Sequence, residues 1–403
     1  MDVVIVGAGP AGAALAHLLA SRGIEVTLLE RQLDFAREFR GEVLMPSGVE
    51  ALEQVGLHDW REIPHCSPTS VEAFANGRSF FREDVDPALF EGRPPVAMSQ
   101  PALLERLVAD AGRFPVFHFE RGATVRELIR EGGRVVGVIA RTREGERELR
   151  GRLVVGADGR SSVVRRESGL RPEREPQVMD VVWCKFPLPE AYGEAAPARA
   201  YLGRGHLLFA YRAPDDRLQV AWVIQKGTFG ELRSRGVEEW TEAMAEHVSP
   251  DLSAHFRRHA KDVSKPFVLD AALDRVASWS APGVLLLGDA AHTMSPVGGQ
   301  GLNVALRDTL VAANHLVPAF AEGAGDAALD AAARRIEAER LSEIVPIQRM
   351  QAMPPRLLLN RAWWAEPARR LIPLLARSRF LRETGARGLA RFVFGIGSVK
   401  LEV

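Results

Sequence analysis

The segment Asp2-Val-Val-Ile-Val-Gly7-Ala-Gly9-Pro-Ala-Gly12 decides the fold, because it opens the chain with a strand that turns into a helix. The apolar run at residues 2–6 predicts a buried strand, and residues 13–21 predict a helix. A second apolar run at residues 26–29 ends in Glu30. A strand, a G-x-G-x-x-G turn, a helix, a strand and an acidic residue within ~30 residues form the dinucleotide-binding pattern. The sequence therefore predicts an α/β fold with a Rossmann-like domain.

The three glycines of this turn have different tasks. Gly7 permits the tight turn, Gly9 lets the backbone approach a pyrophosphate, and Gly12 lets the helix pack against the sheet. Glu30 lies 18 residues after Gly12, where a carboxylate can accept hydrogen bonds from the ribose hydroxyls of an adenosine. This first unit therefore predicts a site for an adenosine diphosphate group.

A second Gly-rich turn follows the apolar run at residues 284–287, which has the character of a buried strand. The run ends at Gly288-Asp289, and a carboxylate there can accept a hydrogen bond from a sugar or ribityl hydroxyl. Gly298, Gly299 and Gly301 then precede a helix that we expect to begin near Leu302. The N–H groups of such a helix start suit an electron-rich or anionic group. Taken alone, this stretch is also typical of an ordinary turn between strand and helix.

A third turn lies between these two in the chain. A short apolar strand at residues 153–155 leads into Gly156-Ala-Asp158-Gly159-Arg-Ser-Ser162, and a helix is predicted at residues 163–168. An Asp-Gly pair by itself is usually only a turn. Here, however, the pattern of strand, glycine, acidic residue and helix repeats that of the other two turns, which favours a shared binding role.

Composition excludes several classes of protein. The 403 residues contain 52 basic and 52 acidic side chains, so bulk charge does not favour a nucleic-acid partner. No apolar run approaches the ~18 residues of a transmembrane helix, and the N-terminus does not have the pattern of a signal peptide. Cys66 and Cys184 are the only cysteines, too few for a disulfide framework or a metal-ligand motif. These features favour a cytoplasmic protein.

Strand and helix patterns interleave two predicted domains. The predicted parts are a dinucleotide-binding domain (1–65, 99–175 and 271–325), an antiparallel-sheet domain that covers a substrate pocket (66–98 and 176–270) and a C-terminal helical segment (326–403). Within the sheet domain, residues 206–212 and 217–225 predict a hairpin around Pro214-Asp215-Asp216. Residues 116–155 are predicted to form a meander, and residues 99–111 a helix with Ser99 as its N-cap.

The three turns at Gly7–Gly12, Gly156–Ser162 and Gly288–Asn303, in this order, resemble those of the flavoprotein monooxygenases of the para-hydroxybenzoate hydroxylase type. The resemblance covers residues 1–320. It implies FAD as the bound cofactor, NADPH or NADH as cosubstrate and molecular oxygen as the oxidant. It also implies hydroxylation or epoxidation of an aromatic or quinone-like small molecule through a flavin hydroperoxide, which has to be protected from water.

The resemblance assigns roles position by position. Asp158 and Gly159 match the motif that touches FAD near the route of NAD(P)H, Asp289 matches the acid that binds the ribityl chain, and Pro296 with residues 299–303 matches the loop and helix start beneath the flavin ring. The implied cofactor-binding residues are Gly7, Gly9, Ala11, Gly12, Glu30, Arg31, Arg40, Gln100, Val125, Asp158, Gly159, Gly288, Asp289, Pro296, Gly299, Gly301, Leu302 and Asn303.

No residue can be assigned as a substrate base from the sequence. The polar or titratable candidates near predicted pocket strands and turns are Tyr201, His206, Tyr211, Arg212 and His292, of which we expect His292 to be structural. Three other functions stay open: a flavin-dependent halogenase, a prenyl-chain reductase and a non-catalytic flavin-binding scaffold. The halogenase signature Trp-x-Trp-x-Ile-Pro is not matched, since the nearest stretch, Gln219–Gln225, has one tryptophan and no proline.

The C-terminal segment is strongly basic. Between Arg349 and Lys400 the sequence has eleven basic residues against Glu366 and Glu383, with apolar residues such as Trp363-Trp364 between them. We favour a helical cap docked on the FAD domain. The alternative is peripheral contact with an anionic membrane, to which each basic residue contributes about 1 kcal/mol. The sequence does not predict the oligomeric state.

Overall fold

The structure is a computed structural model, and it describes residues 1–36, 43–75, 77–175, 177–194, 196–203, 205–321, 325–359 and 395–403. Its helices are α1 Pro10–Ala20, α2 Pro46–Val55, α3 Gln100–Ala111, α4 Val163–Glu167, α5 Phe229–Ser234, α6 Val237–Ala245, α7 Pro250–Arg258, α8 Gln300–Ala321 and α9 Asp326–Leu358. Arg40, Trp363-Trp364 and most of the basic segment lie outside the described residues.

The strands of the described residues fall into five sheets. They are β1 Val3–Val6, β2 Val26–Glu30, β3 Val43–Leu44, β4 His65–Cys66, β5 Ser70–Ala75, β6 Arg78–Asp84, β7 Val96–Met98, β8 Phe117–Arg121, β9 Thr124–Glu131, β10 Arg134–Thr142, β11 Gly145–Arg150, β12 Leu153–Gly156, β13 Pro172–Glu175, β14 Met179–Pro187, β15 Ala198–Gly203, β16 His206–Arg212, β17 Arg217–Gln225, β18 Phe267–Asp270, β19 Leu273–Val276, β20 Ser280–Ala281, β21 Val284–Leu286 and β22 His292–Thr293.

The first sheet has the order β20-β21-β12-β1-β2-β8 and is parallel except for β20. Its central strands are buried along their whole length, which explains their continuous apolar runs. The α/β fold with a Rossmann-like domain is confirmed.

The prediction of a meander over residues 116–155 is wrong for its first strand. β8 pairs in parallel with β2, from Val26 opposite Phe117 to Glu30 opposite Arg121. Only β9, β10 and β11 form the antiparallel three-stranded sheet. Alternation of apolar and polar residues predicts a half-buried strand but does not say which strand it will pair with. β8 instead follows α3, and this helical crossover returns it to the edge of the parallel sheet.

One hydrophobic core joins the parallel sheet to the helices on one of its faces. Val3 and Ile5 of β1 lie in it with residues of α1, α3 and α8. Leu329 and Ile336 of α9 are fully buried in the same core. The first part of α9 is therefore packed in the core beside the parallel sheet.

The largest sheet has the order β18-β14-β17-β16-β15-β5-β6, and its β16–β17 hairpin confirms the predicted one. Side chains alternate between two faces. One face, which includes Trp222 and Phe186, packs under α5, α6 and α7. The other face includes Met179, Val181 and Val223 and meets Val297 of the turn before α8. The second face therefore looks toward the Gly-rich turns.

Candidate active site at the carboxyl edge of the parallel sheet

The three turns begin at one edge of the parallel sheet. Val6 is opposite Leu29 on one side and Gly156 on the other, and Gly156 is opposite Leu286. The strands therefore end level with one another, and the chain leaves each of them at the same edge. In open α/β sheets, ligands bind outside the carboxyl ends of the strands.

Gly7 and Gly12 pack too closely for any side chain. Gly7 has φ of +98°, and a Cβ there would lie 2.5 Å from the carbonyl oxygen of Ala157. A Cβ at Gly12 would lie 1.9 Å from the carbonyl oxygen of Gly7. Gly9 is different, since a Cβ there would meet no atom within 4 Å. The open side of this turn is thus at Gly9, the N-cap of α1, where no side chain caps the helix.

Glu30 is buried beside this turn. Its Oε2 accepts a hydrogen bond from the Ala8 N–H at 3.0 Å, and its Oε1 accepts one from the Gln32 N–H at 3.0 Å. A cavity of about 370 Å³ opens nearby, lined by Arg31, Leu33, Gly122, Thr124, Arg126, Arg141, Thr142 and Arg143. Val125 is buried in β9 between two lining residues. The acid at the end of β2 thus stands next to an open, strongly basic cavity.

Asp158 caps the helix that follows the middle turn. Its carboxylate accepts hydrogen bonds from the Ser162 hydroxyl and from the N–H of Val163 (2.6 Å) and Val164 (3.3 Å). Burial raises the pKa of this carboxyl, against the opposing effect of those hydrogen bonds. Gly159, with φ of +78°, has open space where a Cβ would stand.

The last turn is joined to the middle one by two arginines. Arg160 Nε donates to Asp289 Oδ2 at 3.2 Å. Arg165 Nη1 donates to the carbonyl oxygen of Ala290 at 2.9 Å, and its Nη2 donates to the carbonyl oxygen of Arg160. A Cβ added at Gly288 would lie 3.2 Å from the Ala11 side chain, so the first and last turns also meet. The three turns form one surface.

A buried charge network lies behind Gly288. Asp308 accepts hydrogen bonds from Gly288 N–H (3.2 Å), His292 Nε2 (2.7 Å) and Arg340 Nε (2.7 Å). Arg340 also pairs with Glu343, which in turn pairs with Arg307. Burial alone would raise the pKa of Asp308, but His292 and Arg340 outweigh it and hold that pKa below its usual value.

The turn before α8 brings backbone N–H groups to the same edge. Gly298 and Gly299 have φ of +77° and +62°, and α8 begins at Gln300, two residues earlier than expected. The Asn303 side chain bonds to the backbone of two other segments. Its Oδ1 accepts a hydrogen bond from the Met45 N–H at 2.8 Å, and its Nδ2 donates one to the Gly299 carbonyl oxygen at 2.8 Å. Asn303 therefore ties the start of α8 to the segment before α2.

Gly48 makes that tie possible. A Cβ at Gly48 would lie 2.0 Å from Asn303 Oδ1. Pro296 precedes the turn with φ of −65°, and Leu302 is buried. Gln100 is the first residue of α3, and Ser99 is its N-cap as predicted.

The candidate substrate bases separate by face. Tyr201 and His206 lie on the helix-covered face of the large sheet, where Tyr201 bonds to Ser249 and His206 stacks on Trp222. Tyr211 is on the opposite face by alternation from Leu208. Arg212 and His292 are engaged in structural contacts with Asp216 and Asp308. Tyr211 alone of the five candidates remains on the face toward the turns.

Sequence reasoning did not find several residues that form or support this surface: Gly48, Arg160, Arg165, Asp308, Arg340 and Glu343. A signal existed for Asp308, since Arg307-Asp308 interrupts an otherwise apolar stretch of helix. Arg340 carried no comparable signal, because its partner is 32 residues away. Among the described residues there is no cluster of His, Cys, Asp or Glu fit to hold a metal ion, and no helix that is long and apolar enough to cross a membrane.

Comparison with known proteins agrees with this geometry. The family model described as "FAD binding domain" matches residues 1–342. The chain is 32% identical over 371 residues to the 6-methylpretetramide 4-monooxygenase of Streptomyces rimosus, covering 89% of this chain and 84% of the relative. It is 30% identical to digeranylgeranylglycerophospholipid reductase 1 of Methanopyrus kandleri, over 80% and 81% of the two chains.

A solved structure supports the fold. The p-nitrophenol 4-monooxygenase PnpA of Pseudomonas putida superimposes with a TM-score of 0.79 at 19% identity, covering 98% of this chain and 99% of that one. Three findings agree with one another: the order of the three turns, the family match over most of the chain, and the 32% sequence identity to a monooxygenase. The chain therefore belongs to the FAD-dependent monooxygenases of the group A flavoprotein hydroxylase type.

Proposed function

We propose that this monooxygenase oxygenates an aromatic or quinone-like small molecule at the edge where the three turns meet, with NADPH or NADH as the reductant. The observation that carries the proposal is the level alignment of the strand ends, which places Gly9, Glu30, Gly159 and Asp289 along one edge. FAD, once bound and reduced, supplies the activation of molecular oxygen. The residues of this chain hold it, orient it and exclude water.

The residues present fit FAD. The uncapped N-terminus of α1 and the open space at Gly9 suit a pyrophosphate, which N–H groups and the helix dipole would hold. Glu30 lies at the end of β2 with its oxygens directed at backbone N–H groups, and a carboxylate at this position can accept a hydrogen bond from a ribose hydroxyl. The basic cavity beside Arg31 and Val125 has room for an adenine ring. Asp289 would take the ribityl chain.

The turn at Pro296–Gly299 and the start of α8 would lie under the flavin ring. N–H groups of the first turn of α8 bring partial positive charge without a titrating group, which suits a ring edge that becomes negative on reduction. Asn303 contributes by fixing this helix start to Met45. Its side chain is therefore a support for the ring site.

The apolar face of the large sheet would form the wall of the substrate pocket. Trp183, Leu207 and Phe267 pack on that face with Val297 of the turn. Phe209 lies on the same face by alternation and is 38% exposed. An aromatic side chain exposed on the proposed pocket wall suits a planar aromatic substrate. The relative from Streptomyces rimosus acts, by its name, on 6-methylpretetramide.

The FAD site is tested by Asp289→Ala. We expect a folded protein that has lost most of its FAD, measured as the ratio of flavin to protein absorbance after purification. Asp215→Ala, in the hairpin turn of the large sheet, is the matched control and should keep full FAD content. Full FAD content in the Asp289 variant would contradict the assignment.

The oxygenase activity is tested by anaerobic mixing with NADPH and NADH. We expect slow flavin bleaching, which a fitting member of a panel of aromatic compounds accelerates. When oxygen is then admitted, the protein should take it up in proportion to the product formed. A Phe209→Ala variant should raise the KM for that compound. Val268→Ala is the control, because Val268 is equally exposed, at 37%, on the opposite face of the sheet. Flavin that stays oxidised with both nucleotides would refute the proposal.

A prenyl-chain reductase is the second candidate, because the chain shares 30% identity with the reductase of Methanopyrus kandleri. The two functions differ in their use of oxygen. A hydroxylase consumes oxygen in proportion to product, whereas a reductase forms its product in the absence of oxygen. Anaerobic product formation from a prenylated compound would favour this candidate.

Peripheral membrane contact through the basic C-terminal segment, whose residues 360–394 lie outside the described residues, stays a separate proposal. Its support is the local excess of positive charge in a neutral chain. Sedimentation with anionic liposomes at low and high salt tests it, since electrostatic binding has to weaken with salt.

A further inference from the structure

Arg160 lies where the middle and last turns meet the large sheet. Its Nε donates to Asp289 Oδ2 at 3.2 Å, and its Nη1 donates to the carbonyl oxygen of Asp270 at 3.1 Å. Asp270 is the last residue of β18, an edge strand of the sheet that forms the proposed substrate wall. One guanidinium therefore touches both the proposed ribityl acid and the end of the substrate sheet.

Neighbouring groups contact both ends of this bridge. Arg165 donates to the carbonyl oxygen of Arg160 and so holds the backbone that carries the guanidinium. The Asp270 carboxylate pairs with Lys226, which directly follows β17. β17 carries Ala221 and Val223 on the substrate face. The ends of β17 and β18 are therefore adjacent at the point where Arg160 contacts the large sheet.

We propose that Arg160 is a positioning residue, which holds the Asp289 carboxylate toward the ribityl chain of FAD and links it to the substrate sheet. The inference rests on the proposed FAD site. A guanidinium suits this task because its planar fork donates in two fixed directions, whereas an ammonium is a point charge. Arg160 and Asp289 are both partly exposed, at 27% and 38%, so their pair contributes little to folding. Loss of the Arg160–Asp289 pair should therefore weaken FAD binding rather than destabilise the fold.

The test is titration of the full-length apoprotein with FAD, followed by flavin fluorescence. Arg160→Gln should raise the Kd for FAD roughly tenfold, as expected when a hydrogen bond to a charged group is lost. Arg160→Lys keeps the charge but not the fork, and should raise it about threefold. Arg166→Gln is the matched control, since Arg166 is an exposed arginine of the adjacent helix that bonds to Glu167. It should leave the Kd unchanged.

A double variant separates positioning from a merely structural role. In an Asp289→Asn background, Arg160→Gln should change the Kd for FAD less than about twofold, because Arg160 acts through that carboxylate. Arg160→Gln should also bring the ratio of flavin reduction rates with and without aromatic substrate toward one. The unfolding midpoint of the apoprotein should not move.

Three results would overturn the proposal. They are an unchanged Kd for FAD in both Arg160 variants, a full tenfold effect that persists without the Asp289 carboxylate, and a lowered unfolding midpoint with unchanged FAD affinity. A wild-type protein that binds no FAD would instead refute the proposed function.

Discussion

The buried network around Asp308 gives the sharpest prediction of stability. Asp308 is completely buried and accepts three hydrogen bonds, from Gly288, His292 and Arg340. The Asp308→Ala change leaves those three donors without that acceptor and leaves one carboxylate, Glu343, for the charges of Arg340 and Arg307. Breaking a buried pair from one side costs about 3–5 kcal/mol.

That loss of unfolding free energy corresponds to a measurable shift of the unfolding midpoint. An unfolding entropy of about 2.1 cal/mol/K per residue gives roughly 0.85 kcal/mol/K for 403 residues. The unfolding midpoint of the Asp308→Ala apoprotein should therefore fall by about 4–6 °C in calorimetry. The apoprotein is used so that any loss of FAD does not add to the result.

Two variants check the reasoning. Glu242→Gln breaks an exposed ion pair with Arg257 and should not move the midpoint measurably. Asp308→Leu combined with Arg340→Met removes both charges and leaves the Arg307–Glu343 pair balanced, so it should lose less stability than Asp308→Ala alone. A fall of less than about 1 °C for Asp308→Ala would refute the view that this network is a tightly paired unit.

Three further predictions concern other parts of the molecule. Gly12→Ala should cost about 1–3 kcal/mol of unfolding free energy, measured in urea, because its Cβ meets the Gly7 carbonyl oxygen. Gln54→Ala should speed carboxypeptidase release of the C-terminal residues, since the Gln54 amide bonds to both Val399 and Leu401; an unchanged rate would contradict this anchoring. Burial lowers the pKa of His17, His247 and His255, so the unfolded chain binds more protons below pH 6.5 and the midpoint should fall as the pH drops below that value. His247→Gln should flatten this dependence, and equal slopes for variant and wild type would refute it.

The sequence by itself predicted the parallel-sheet domain, because its evidence is local. A strand, a glycine turn and a helix follow one another within a few residues, and Gly12 is needed for a contact inside that turn, since a Cβ there would meet the Gly7 carbonyl oxygen. The hairpin at residues 206–225 was predictable for the same reason, since its two strands and its turn are adjacent in the chain. The N-cap of α3 at Ser99 is equally local.

Only the tertiary structure decided which distant parts meet. β8 pairs with β2 although more than 80 residues separate them, and alternation of side chains does not name a partner strand. Asp308, Arg340 and Glu343 come together because α8 and α9 pack side by side. Arg160 reaches Asp289 and Asp270 only after β12 has paired with β21 and the end of β18, in the large sheet, has come to lie beside them. Contacts between residues so far apart in the chain depend on the packing of whole elements, and no local pattern of residue types encodes that packing.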